Sequence, residues 1–251
     1  MPWVPVSIKY EGRKPAQMFT KEDVAKTIDH AVLKPFATDR DIIDGAKMCA
    51  ERQVASFCVR PTDAALAAKQ LKGSNVPVAV VVGFPHGANR PETKAIEAKL
   101  AIEDGAAELD MVMNIGKFMS GDYEFVQKDI EAVVAEAGKA NVIVKVILET
   151  CNLTPEQVEK VCLLSQAAGA DYVKTSTGFG DGPATPEVID IMIKTVGDTM
   201  GVKASGGIRS WETAVGYLKQ GCKRLGAAST EAILDGAPAD NSILAHNKPR
   251  P

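Results

Sequence analysis

A chain of 251 residues, 45% hydrophobic and 24% charged, has the make-up of a soluble globular protein able to bury a large single core. A formal net charge of -3 without any Lys/Arg-rich run argues against a nucleic-acid partner. The lack of any run of about 18 apolar residues argues against a membrane-spanning helix.

In chain order, residues before about Thr20 read as an N-terminal extension (1–19) without the basic start and apolar core of a signal peptide. Short β-branched apolar runs then predict strands at Ile28–Leu33, Val54–Val59, Val78–Phe84, Glu108–Met113, Val142–Glu149, Tyr172–Thr175, Val202–Ala204 and Arg224–Ala227. Segments such as TDRDIIDGAKMCAERQ, RPETKAIEAKLAIEDGA, DYEFVQKDIEAVVAEAGKA and TPEQVEKVCLLSQAAGA lie between them with apolar residues at helical spacing. Thr154-Pro155 and Thr185-Pro186 are helix starts, with Thr as cap and Pro at the first helical position; Gly105, Gly138, Gly169 and Gly221 are helix stops. From about Gly236 the chain is rich in Pro, Ala and Asn, which predicts a loose tail (236–251).

Strand–helix alternation predicts a parallel sheet, and eight such units in about 250 residues predict a single closed (β/α)8 barrel. No GxGxxG follows the first strand, which weakens a dinucleotide-binding reading. The cysteines, Cys49, Cys58, Cys151, Cys162 and Cys222, are odd in number and lack CxxC spacing. They are expected to be reduced and mostly buried, in a cytoplasmic protein. The three histidines, His30, His86 and His246, have no metal-ligand spacing, so no metal is expected.

Three lysines carry most of the chemical information. Lys145, Lys174 and Lys203 lie within successive apolar strands, each 29 residues after the last, and are expected at similar positions. A lysine in such a strand is costly unless paired or neutral. Either these lysines pair with acids as structural bridges, or their crowding and burial drive one to the neutral amine that an imine-forming nucleophile requires. Asp110, in the fourth strand, is correspondingly either a buried bridge or a carboxylate that moves protons through water. All four fall in the central or later part of their strands, toward the end where such barrels place their sites.

Ser205-Gly206-Gly207 follows the seventh strand and Gly226-Ala227-Ala228-Ser229 spans the end of the eighth. Small residues in those two loops are the usual phosphate grip of this fold, because backbone N–H groups can approach an anion closely. Thr175-Ser176-Thr177-Gly178 after the sixth strand offers hydroxyls and a further glycine, and Arg209 is either an added charge or an ordinary surface arginine.

The stretches IDHAVLKP (28–35), SFCVRP (56–61), VVVGFPHG (80–87), ELDMVMNIG (108–116), VKVILET (144–150), DYVKTSTGF (171–179), VKASGGIR (202–209) and RLGAAS (224–229) together resemble the deoxyribose-phosphate aldolase family. The resemblance covers nearly the whole predicted barrel, and the pair VKTSTGF and KASGGIR is its most specific part. It implies reversible cleavage of 2-deoxy-D-ribose 5-phosphate to acetaldehyde and D-glyceraldehyde 3-phosphate by imine chemistry, without metal or organic cofactor. It implies Lys174 as the imine-forming nucleophile, Lys203 as the lysine that lowers its pKa, Asp110 as the proton-transfer partner and Lys145 as an accessory lysine. Gly178, Gly206, Gly207, Gly226 and Ser229 would hold the phosphate. It also implies a small homo-oligomer, dimer or tetramer. Three departures stand out: Ala228 and Phe179 replace a serine and a lysine of some members, and the chain ends HNKPRP where some relatives carry a tyrosine that assists proton transfer. Competing readings are another imine-forming barrel acting on a ketose phosphate, a non-catalytic phosphate-binding barrel, and a metal-dependent aldolase.

Overall fold

Short, largely apolar runs form eight strands whose parallel pairing closes into a barrel in the order β1 to β8. The computed structural model describes residues 19–238. Almost all of the expected extension and tail, with the final HNKPRP and His246, lies outside the described residues. The strands are β1 (Ile28–Val32), β2 (Ser56–Val59), β3 (Val78–Val82), β4 (Ala106–Val112), β5 (Ile143–Ile147), β6 (Tyr172–Lys174), β7 (Gly201–Ser205) and β8 (Arg224–Ala227). Each overlaps one predicted run.

Helices fill the connections: α1 (Lys21–Ala25), α2 (Asp39–Arg52), α3 (Ala64–Gln70), α4 (Pro91–Glu103), α5 (Ile115–Met119), α6 (Tyr123–Gly138), α7 (Pro155–Ala167), α8 (Pro186–Val196), α9 (Trp211–Gln220) and α10 (Thr230–Asp235). Their starts follow the local chemistry. Thr154 accepts from the Gln157 N–H while the Gln157 side chain returns to the Thr154 N–H, with Pro155 at the first position. Thr185 caps α8 by accepting from Val188 N–H, with Pro186 at the first position. Gly221 ends α9 in the left-handed region, at φ 118°. One expected stop is corrected: Gly138 is the last residue of α6 itself, and the chain turns later, at Asn141 with φ 57°. Asn reaches that region more readily than most side chains, so no glycine was needed there.

The period of two divides each strand between two environments. Leu109 and Met111 of β4, with Val144 and Val146 of β5, face the helices and join the main apolar core. Truncating Leu109 or Met111 to Ala would cost about 2–5 kcal/mol. The residues between, Glu108, Asp110 and Lys145, face the barrel interior. That interior is divided. Cys58, Ala79 and Val81 make a small apolar cluster on the β2–β3 side, whereas β4 to β8 and β1 contribute charge.

A second buried ion pair supports the barrel from outside. Lys94 of α4, fully buried, donates to Asp129 Oδ2 of α6 at 2.6 Å and to the Val112 carbonyl at 2.8 Å. The same Asp129 oxygen accepts from Asn114 N–H at 3.0 Å. The pair thus ties two helices to the C-terminal end of β4, two residues beyond Asp110.

Candidate active site

A cavity of about 500 Å³ opens at the C-terminal ends of the strands. Lys174 and Lys203 reach it from below, beside Cys58. The loops after β1, β6, β7 and β8 surround it, through Lys34, Thr177–Phe179, Gly206–Arg209 and Ala228–Ser229.

Beneath the cavity lies a buried charge network. Asp110 Oδ2 accepts from Lys174 and from Lys203, each at 2.7 Å, while Asp110 Oδ1 accepts from Lys145 at 2.8 Å. Asp29 of β1 pairs with Lys203 and, at 3.1 Å, with Lys145. Glu108 accepts from Lys145 at 2.5 Å. Arg224, the first residue of β8, donates to Asp29 Oδ1 at 2.5 Å and Glu108 Oε1 at 2.7 Å. Every oxygen of the three carboxylates therefore has an N–H donor.

Partner count ranks the three lysines. Lys145 touches three carboxylates, Lys203 two and Lys174 one. Burial opposes the charge on all three lysines. For Lys145, Asp110, Asp29 and Glu108 overcome burial and hold the ammonium well above the usual lysine range. For Lys203, Asp110 and Asp29 do the same more weakly. For Lys174, burial wins over Asp110, neighbouring Lys203 adds repulsion, and the pKa falls below 10.5. Asp110 is held well below the carboxylate range because Lys145, Lys174 and Lys203 outweigh its burial. Four basic groups face three carboxylates, so deprotonating one amine brings the network to neutrality. Lys174 is the least committed of them, and it lines the cavity beside Lys203.

The other end of the cavity is small-residue backbone. Gly206 and Gly207 are consecutive left-handed residues, at φ 86° and 76°. They also let the chain pass Pro183: a Cβ on Gly207 would lie 2.9 Å from Pro183 Cβ. Ser205 Oγ accepts from Ser176 N–H at 3.2 Å and donates to the Ser176 carbonyl at 2.5 Å, joining the loops after β6 and β7. Glu149, left-handed at φ 53°, accepts from both the Thr177 N–H, at 3.1 Å, and the Thr177 hydroxyl, so it braces the loop that carries Gly178. Lys34 and Arg209 are the lining cations apart from the barrel lysines, and Lys34 Nζ lies 5.0 Å from the Phe179 ring centroid. Arg60 holds the Lys34 loop by donating to the carbonyls of Lys34, Pro35 and Ala37.

A family model described as DeoC/LacD family aldolase matches residues 23–230. The chain belongs to this family. It is 53% identical over 222 residues to the deoxyribose-phosphate aldolase of Clostridium perfringens strain SM101, covering 88% of this chain and 99% of the relative. It is 52% identical over 215 residues to that of Streptococcus suis strain 98HAH33, covering 86% and 97%. The solved tetrameric deoxyribose phosphate aldolase of Aeropyrum pernix superposes with a TM-score of 0.81 at 31% identity, over 86% of this chain and 91% of that one.

Within this family member, the sequence-predicted residues converge only in part as expected. Lys174, Lys203 and Asp110 meet, and Gly178, Gly206, Gly207, Gly226 and Ser229 all line the cavity. The even lysine spacing does not place all three at one level. Lys174 pairs in register with Lys203, but Lys145 pairs with Tyr172, two residues before Lys174, and with Asp110 on its other side. Strand stagger around a closed barrel shifts the layer even where the sequence interval is constant. Lys145 consequently lies wholly buried beneath the cavity rather than on it. Gly226 has a second role, since a Cβ there would lie 2.8 Å from Ser205 Cβ and 3.2 Å from Lys203 Cε.

Sequence reasoning assigned no role to Asp29, Glu108, Arg224, Lys34 or Cys58. The first three carry the signal that flagged the lysines, a charge in an apolar strand, but Glu108 and Arg224 stand at run ends where exposure is the ordinary expectation. Cys58 reads as a core residue, and burial followed by Asp110 pushes its thiol up to about 11.

Proposed function

We propose that this chain is a deoxyribose-phosphate aldolase that cleaves 2-deoxy-D-ribose 5-phosphate to acetaldehyde and D-glyceraldehyde 3-phosphate through an imine on Lys174. One observation carries the reading: of the two barrel lysines that line the cavity, Lys174 has a single carboxylate partner, and that carboxylate oxygen is shared with the second, better-held ammonium of Lys203. A neutral amine poised against a proton carrier is what carbonyl addition requires.

In this mechanism Lys174 adds to the open-chain aldehyde carbon. Loss of water, with a proton supplied from the Asp110–Lys203 pair, leaves a protonated imine. Removal of the C3 hydroxyl proton through water bonded to Asp110 lets the C2–C3 bond break. Its electrons move to the iminium nitrogen, releasing D-glyceraldehyde 3-phosphate and an enamine. Protonation of the enamine carbon and hydrolysis free acetaldehyde and return the amine. Lys145 fixes the Asp110 carboxylate from below. Gly178, Gly206, Gly207, Gly226 and Ser229 would hold the phosphate, which does not react and contributes orientation. No metal or organic cofactor takes part.

The names of the relatives support this substrate. A cytoplasmic setting fits the five unpaired cysteines. A small homo-oligomer fits the tetramer named for the Aeropyrum pernix relative. The test is acetaldehyde release from deoxyribose 5-phosphate against a panel of ketose phosphates, with and without chelator. Release from the deoxy sugar alone, unchanged by chelator, is expected; turnover only of a ketose phosphate, or loss with chelator, contradicts the reading.

A further inference from the structure

We infer that Arg224, at the foot of the barrel and remote from the cavity, is a positioning residue that keeps the Lys174 amine available by balancing the buried carboxylates from the far side. This rests on the proposed imine chemistry of Lys174.

The geometry is a row that climbs through three strands. Arg224, the first residue of β8, is in register with Lys203 in the middle of β7, and Lys203 is in register with Lys174, the last residue of β6. Arg224 fills Asp29 Oδ1 and Glu108 Oε1, leaving Asp29 Oδ2 for Lys203 and Lys145, and Glu108 Oε2 chiefly for Lys145. Those two lysines in turn hold Asp110, the carboxylate partner of Lys174.

The charge balance follows. With Arg224 present, Lys145, Lys203 and Arg224 match Asp29, Glu108 and Asp110, and a protonated Lys174 is a buried excess charge. Remove Arg224, and three carboxylates face two fixed cations, so a protonated Lys174 becomes the ion that restores neutrality. Buried charge imbalance is expensive, and a group with a free choice of proton moves to relieve it. Arginine suits this position because it does not lose its proton in a protein. The groups that act on Lys174 are Asp110 from β4, Lys203 from β7 and the Cys58 thiol from β2, with Asp29, Glu108, Lys145 and Arg224 behind them. Arg224 itself faces Asp29, Glu108 and the Tyr172 ring, at 5.9 Å from its centroid.

The experiment is the pH profile of kcat/KM for deoxyribose 5-phosphate cleavage in four proteins: unaltered chain, Arg224→Met, Glu108→Gln and the double variant. Arg224→Met should move the acid limb to higher pH by about half a unit or more, and Glu108→Gln should move it lower. The double variant should return it toward the unaltered position. A limb that stays within about 0.2 unit in both single variants, or moves the same way in both, overturns the inference, since a purely structural role lowers the rate without opposite shifts. Should Arg224→Met not fold, Arg224→Lys and Glu108→Gln decide the matter. The first must leave the limb in place and the second must lower it, and any other pair of results contradicts the charge-balance role. Absence of cleavage by the unaltered chain would instead remove the functional reading beneath it.

Discussion

Lys174 and Lys203 sit side by side across β6 and β7 and donate to the same oxygen of Asp110, each at 2.7 Å. They differ in what else they touch: Lys203 also holds Asp29, whereas Lys174 has no second carboxylate among the described residues. That difference goes with a Lys203 pKa held above the usual lysine range and a Lys174 pKa lowered below it.

Replacing Lys203 with Leu should raise the pKa of Lys174. The variant removes a repelling ammonium and leaves Asp110 with one cation fewer. Because the neutral amine reacts, the acid limb of kcat/KM should move to higher pH, and the rate near pH 7 should fall by about 10²-fold or more. A pH–rate profile checks both. An unmoved limb would mean that Lys203 does not set the charge of Lys174.

Lys34 stands on a loop clamped by Arg60 and faces the cavity where Phe179 brings no charge. Lys34→Ala is expected to raise KM for deoxyribose 5-phosphate about tenfold and to leave cleavage of unphosphorylated deoxyribose unchanged, with Lys34→Arg restoring most of the loss. Steady-state kinetics on the two sugars distinguish a phosphate contact from a general effect on the site.

Gly226→Ala should reduce kcat rather than weaken phosphate binding alone. The added methyl would press on Lys203 Cε at 3.2 Å and Ser205 Cβ at 2.8 Å, so the lysine must move. A drop in kcat of about tenfold or more, with a smaller change in KM, is the expected split.

Removing one partner of the buried Lys94–Asp129 pair should be felt as stability. Burial lowers the pKa of Lys94 and raises that of Asp129, so each depends on the other to remain charged. Lys94→Met would leave Asp129 buried and unpaired, at about 3–5 kcal/mol, read from chemical denaturation. Since Lys94 also holds the Val112 carbonyl, the loss should reach activity through the end of β4.

The barrel was legible because its signals are local. Short β-branched apolar runs, Thr-Pro helix starts and regular βα spacing do not depend on distant partners, and each predicted run contains or overlaps its strand. Gly138 misled because a glycine near a helix end is a stop only if the backbone turns left-handed there, and Asn141 takes that turn instead. The Lys174, Lys203 and Asp110 trio was legible from charge in apolar strands together with family motifs. The depth of Lys145 was not, because stagger between β5 and β6 appears only once the barrel closes. Arg224 and Asp29 lie at opposite ends of the chain and meet only across the β8–β1 seam, so no local pattern joins them.

The most direct test of the account is borohydride trapping with deoxyribose 5-phosphate, followed by peptide mapping. Reduction turns an imine into a stable secondary amine. One adduct is expected, on Lys174, and it disappears in Lys174→Ala while that variant stays folded. An adduct on Lys203 or Lys145, or none at any pH from a folded protein, would contradict it.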